Sequence, residues 1–235
     1  MGSFFHNLPL AGAIEIEQLA RLMYEVRTAR QNLLANNAVA DENELLQRIA
    51  NGAVTEHPVY EQYLSAHILG NLLDDIRADL SRRLAAANAG TPVEAAAPAS
   101  LHLALASEVA NRFGEHLQTP PEVKLDALLL HLDNGVSIEA RFAAADAYSL
   151  AWVWGNAELR IDTAPRANAA DATGAHWHNA EGARLAAPLT RCGDTPWNNL
   201  CALLDTLLAD PLLAAVMPNQ SVRVELVETP APKGE

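Results

Sequence analysis

His176 and His178 stand on either side of Trp177, with Asp171 and Glu181 a few positions away. Residues two apart in an extended segment face the same side. The spacing therefore predicts two imidazoles side by side and a tryptophan reversed toward the interior. Two imidazoles on one side are half of a zinc site, which takes four ligands, or three and a water. Asp171, Glu181 and Cys192 are the nearest candidates for the remainder. No HExxH motif and no paired CxxC is present, so the spacing alone fixes no ligand set. The competing reading is a Trp177 anchor whose histidines lie on the surface. Zinc or another transition metal is thus the alternative, and no cofactor is the leading expectation.

Other residue groups invite weaker chemistry. Cys192 precedes an expected helix start, where a thiol pKa is lowered, and with either histidine it would make a nucleophile and a base. No flanking signature supports that pair. Trp152 and Trp154 share one face of an expected strand and suit either a flat ligand or the core. Tyr60, Tyr63 and His67 share one side of a helix, as interface or core. His131, at a strand end, is expected to face solvent. Asp74, Asp75 and Asp79 mix with Arg77, Arg82 and Arg83 in the manner of a solvated helix face. Phosphate-loop, dinucleotide-fold and hydrolase-elbow motifs are missing.

The elements that must hold these residues follow from periodicity. Apolar residues at helical spacing predict helices near 13–36, 41–50 and 58–87. Asp41 and Glu44 form a capping box for the second, and Asn51-Gly52 stops it. Pro58 suits the first turn of the third. Its apolar residues recur every four positions from Tyr60 to Leu84, a period that drifts around a helix of 3.6 residues per turn, so its apolar surface wraps onto more than one partner. Residues 89–99, rich in Ala and Pro, read as a linker between a helical domain (1–88) and an α+β domain (100–230), with a loose tail at 231–235.

After the linker a helix over 101–118, capped by Ser100, is expected. The period then changes to two, and strands are predicted over 123–132, 136–143, 148–154 and 158–163. Asn134-Gly135 and Gly155-Asn156 make tight turns between them. The stretch 164–194 is patternless and reads as a lid, as disorder, or as a hairpin turning at 179–182 with Trp177 facing Leu185. A helix over 195–209, a short turn to about Met217 and a strand over 222–228 complete the chain. The class is α+β: a helical amino-terminal region, then an antiparallel meander with packed helices in the order α-ββββ-α-β.

Composition narrows the partners. Of the 16 basic residues only Lys124 and Lys233 are lysine, and the net charge is −13, which repels nucleic acid and anionic membranes. No apolar run approaches the roughly 20 residues of a membrane span, and the start carries no basic leader. A soluble, cytoplasmic protein with two reduced cysteines is expected. The central strands read as apolar on both faces, and an uncovered face marks an interface. The leading functional expectation is therefore an accessory, adaptor or regulatory protein working through protein contacts, as a homodimer. A metal-dependent enzyme or metal-binding protein centred on His176 and His178 is one alternative. A small-ligand sensor, with a pocket between sheet and helices near Trp152 and Trp154, is the other.

Overall fold

The computed structural model describes residues 10–89, 91, 100–165 and 174–216. Its long helices α1 (Leu10–Asn36) and α3 (Val59–Ala89) lie antiparallel, with Val26 of α1 set against Leu69, Leu73 and Ile76. Helix α2 (Glu42–Ala50) joins them. Asp41 accepts a 2.9 Å bond from the Glu44 amide, and Glu44 accepts one from Ala40, so the expected capping box forms one residue offset. Helix α3 divides its surface as its drifting apolar period demands. Its first half packs Tyr60, Tyr63 and Leu64 against Leu45 and Ile49 of α2 and against the sheet; farther along, Leu69, Leu73 and Ile76 pack against Val26 of α1.

The sheet is a seven-stranded antiparallel meander in sequence order. Its strands are β1 (Glu122–Val123), β2 (Leu128–His131), β3 (Ser137–Ala144), β4 (Ala147–Trp154), β5 (Ala157–Asp162), β6 (His176–His178) and β7 (Arg184–Ala186). With α1–α3, α4 (Leu101–Phe113) and α5 (Pro196–Leu207) the fold is α+β with a helical amino-terminal region. Gly135 and Gly155 take positive φ of 86° and 59° in the β2–β3 and β4–β5 turns, a conformation glycine adopts without a Cβ penalty.

The expected first strand, the helix before it and the cap of that helix change in detail. The single strand over 123–132 is two strands, because Lys124 and Ala127 close a tight turn through a 2.8 Å backbone bond. The helix from 101 ends at Phe113, passes through a 3-10 turn (Gly114–His116), and gives Leu117 up to a bridge with Leu132. Ser100 makes no side-chain cap bond. The patternless stretch contains the β6–β7 hairpin, with Trp177 opposite Leu185 and Gly182 at φ 76° in the turn. The linker, the expected strand over 222–228 and the tail lie outside the described residues.

One sheet face is the main core. Leu130, Ile138, Phe142, Leu150, Trp152 and Trp177 pack there against Leu105, Val109 and Phe113 of α4 and Leu200, Leu203 and Leu207 of α5. The opposite face departs from expectation. Leu125, inside the expected strand over 123–132, sits in the turn and is 38% exposed. Residues paired across strands share a face, so Ser149, Arg160, Asp162, His176, His178 and Arg184 all lie on this second side. It is a polar face. Helix α3 covers one part of it, where Ala143, Ala147 and Ala164 meet Tyr60, Tyr63 and Leu64. No described helix is long and apolar enough to cross a membrane.

Candidate metal centre

The site begins with the register of β5, β6 and β7. Asp162 pairs with His176, Arg160 with His178, and His178 with Arg184. Alternation therefore turns Trp177 into the core, where it is 1% exposed, and both imidazoles toward α3. The loop entering α3 then brings Glu56 and His57 onto the same spot.

Four donor atoms converge there: Glu56 Oε1, His57 Nε2, Asp162 Oδ2 and His178 Nε2, all within 4.8 Å of one another. Glu56 lies 3.1 Å from His57 and 3.2 Å from His178. The two ring nitrogens are 3.4 Å apart. Asp162 Oδ2 is 3.3 Å from His57 and 3.5 Å from His178. A tetrahedral ion with bonds of about 2.0–2.1 Å holds its ligands about 3.3–3.4 Å apart. Calcium, with six to eight oxygens at about 2.3–2.6 Å, needs a wider cage.

The outer atoms of three of these residues are held from outside. His57 Nδ1 stands 3.0 Å from Glu61. Asp162 Oδ1 accepts from the Ala164 amide at 3.0 Å and faces His176 Nε2 at 2.8 Å. Glu56 Oε2 is paired with Arg184, which also meets His176 Nε2. Arg160 Nε lies 2.9 Å from Glu61. Asp162 thus has one oxygen engaged and turns the other inward, while Glu56 Oε1 faces His57, His178 and His176 together. Asp162 is fully buried, yet its Oδ2 has no aligned hydrogen bond, and an orphaned buried carboxylate oxygen demands a partner.

The electrostatics agree. Burial alone would raise the carboxyl of Glu56, but bonds with His176, His178 and His57 hold it far below the carboxylate range. Asp162 is likewise lowered, by His176 and His57 against burial. Burial opposes the charged form of His57, but Asp162, Glu56 and Glu61 raise it to about 10. His176 is raised in the same way. The carboxylates call for positive charge at the centre; a proton on His57 is one source and a divalent cation is another.

The sequence-derived candidates separate. His178 contributes a donor atom to the cluster. His176 is 1% exposed, which corrects its reading as a surface residue; its ring orients Asp162 and Glu56. Cys192 is exposed, 3.9 Å from the Asp146 carbonyl, and its pKa is raised, chiefly by burial, so the expected activation at a helix start is not found. Glu181 lies exposed in the hairpin turn, and Asp171 falls outside the described residues. Trp152 is 1% exposed and donates to the Pro211 carbonyl at 2.9 Å, so it cannot line an open pocket with Trp154. Trp154, past the edge of the core, is 38% exposed and donates to Asn134. Tyr60 is buried, bonded to Thr163 at 2.9 Å and stacked on Tyr63 at 5.6 Å, within the junction of α2, α3 and the sheet. His131 bonds Ser137 and is half-buried. Glu56, His57, Asp162 and Glu61 were not singled out from sequence. Comparison with protein families, characterised proteins and solved structures gives no match, so geometry alone supports the functional reading.

Proposed function

We propose that this protein binds one divalent transition-metal ion, zinc foremost, through Glu56, His57, Asp162 and His178, with His176, Glu61 and Arg184 as the outer shell. The observation that carries this reading is the convergence of four inward atoms at ligand-to-ligand spacing, while the outer atoms of Glu56, His57 and Asp162 are occupied elsewhere. Imidazole and carboxylate without thiolate suit zinc, manganese or iron(II) rather than copper(I). The mixed nitrogen and oxygen set, with His57 and His178 each 21% exposed, differs from the thiolate-rich sets common in structural zinc sites.

The test is metal analysis of untagged protein after dialysis against a zinc buffer. One equivalent of metal is expected, falling below a tenth in a His57→Ala/His178→Ala double variant. Metal-free wild type under these conditions, with fold intact by circular dichroism, would refute the reading.

A second reading is self-association. It is supported by Ile14, Tyr24 and Leu84, which stay 46%, 68% and 39% exposed on the α1–α3 pair. Light scattering should then give a dimer, which Tyr24→Glu disrupts. The sheet face that first suggested an adaptor is polar and partly covered by α3, so the support for assembly moves to these helices. Two free thiols support a reducing, cytoplasmic setting.

A further inference from the structure

We infer that the metal centre expands beyond its four protein ligands to take a fifth, exchangeable anionic oxygen ligand, a carboxylate or phosphate group, which enters over β5 beside Arg160. The inference rests on the metal reading above and assigns that site a ligand class.

Charge is the first observation. Glu56, Glu61 and Asp162 carry three negative charges, and Arg160 and Arg184 two positive. With the two ligating imidazoles neutral, as ligation requires, the set of these groups and ligands sums to one negative charge. A divalent ion makes it one charge positive. A buried positive centre takes an anion or a hydroxide to neutrality.

Position is the second. His178 is flanked across the strands by Arg160 on β5 and Arg184 on β7, all on the same face. Arg184 is committed to Glu56 and His176. Arg160 differs. Its side chain is 26% exposed, and its Nε stands 2.9 Å from Glu61 without the alignment of a hydrogen bond. A partly exposed guanidinium next to a metal ligand is suited to recognition of a carboxylate or phosphate.

Shape is the third. Helix α3 stops short of the far end of this face. A shallow groove runs from Arg160 over Ala151 and Val153, between Glu139 and Glu158, to Ser137. Its floor is a small and apolar strip of β4 that leaves room for the rest of an anionic molecule. Glu139 and Glu158 along the walls disfavour a second negative group far from the metal.

Cobalt(II) substitution tests this, because the visible d–d bands of the ion report its ligands. Inorganic phosphate and acetate are titrated separately into the cobalt protein. The inference expects a saturable spectral change with at least one of them, weakened about tenfold by Arg160→Gln and partly restored by Arg160→Lys, with cobalt stoichiometry unchanged. Response to both identifies a site for a general oxyanion; response to one identifies the group. A cobalt-loaded protein indifferent to both anions overturns the inference and leaves the metal reading standing. A response equal in wild type and Arg160→Gln overturns the role of Arg160. Failure of cobalt and zinc to bind at all brings down the metal reading itself.

Discussion

The Nε2 atoms of His57 and His178 face each other across 3.4 Å, with ring planes 86° apart, although 121 positions separate them in the chain. Two ring nitrogens that share the same two carboxylates at this spacing are arranged as two ligands of one ion.

Glu61 holds His57 from behind, in the carboxylate–histidine arrangement that sets tautomer and ring angle at metal sites. Glu61→Gln should lower zinc affinity by about 10–100-fold while leaving one site per chain. Competition against a chromogenic chelator measures it. Unchanged affinity would show that Glu61 serves only Arg160.

Zinc should also stabilise the fold. At a free concentration near a thousand times Kd, a native-only ligand contributes about 4 kcal/mol. Melting followed by calorimetry should move upward with zinc in wild type and stay put in Asp162→Asn, which replaces the orphaned oxygen with an amide. A shift of equal size in both would place the ion elsewhere.

His102, beneath the sheet at the start of α4, accepts the Phe142 amide at 3.2 Å, which needs a neutral ring nitrogen. Burial, aided by Arg141 and opposed by Asp126, lowers its pKa to about 4. The unfolded value is about 6.5. Between these limits the unfolded chain binds a proton that the folded one refuses. The group's contribution is therefore intact above about pH 6.5 and lost as pH falls toward 4, on the order of 3 kcal/mol in all. His102→Gln keeps an acceptor for Phe142 and should flatten the stability profile across this window in urea titrations. An unchanged slope would show that other groups carry the acid sensitivity.

Asp79 and Arg83, expected on a solvated face, are buried on α3, where Asp79 Oδ2 accepts from Arg83 Nε at 2.8 Å and Arg82 takes the other oxygen. Breaking one member of a buried pair costs about 3–5 kcal/mol. Asp79→Ala should approach the lower figure, since Glu15 still serves Arg83. Arg77→Ala, at an exposed pair with Asp74, should cost less than about 1 kcal/mol. Similar losses in urea unfolding would contradict the burial.

Trp177 fills the core behind the histidines, with an Nε1 that has no hydrogen-bond partner among the described residues. Trp177→Ala should cost about 3–5 kcal/mol. Trp177→Phe keeps most of the packing and removes an unsatisfied donor, so about 1 kcal/mol is expected. Both variants should also weaken zinc binding, because the strand that carries His176 and His178 is anchored by this ring.

The helices and the meander are legible in the sequence because their signals are local: apolar spacing, the Asp41 cap, and the glycines of the turns. The Lys124–Ala127 turn is hidden because Leu125 and Leu128–Leu130 read as one apolar run. Of the site, His178 and the shared side of His176 follow from a spacing of two. Asp162 reads as an ordinary polar-face residue at a strand end, and becomes a candidate only once the 176–186 hairpin is paired beside β5. Glu56 and His57 read as the approach to a helix. Their fellow ligands, Asp162 and His178, lie more than a hundred positions downstream.

That separation has a cost in time and a benefit in control. Half of the ligand cage arrives early in synthesis and half late, so no partial chain holds a complete set. An ion captured here closes a long loop between the helical layer and the sheet, and its residence certifies that both were finished and brought together.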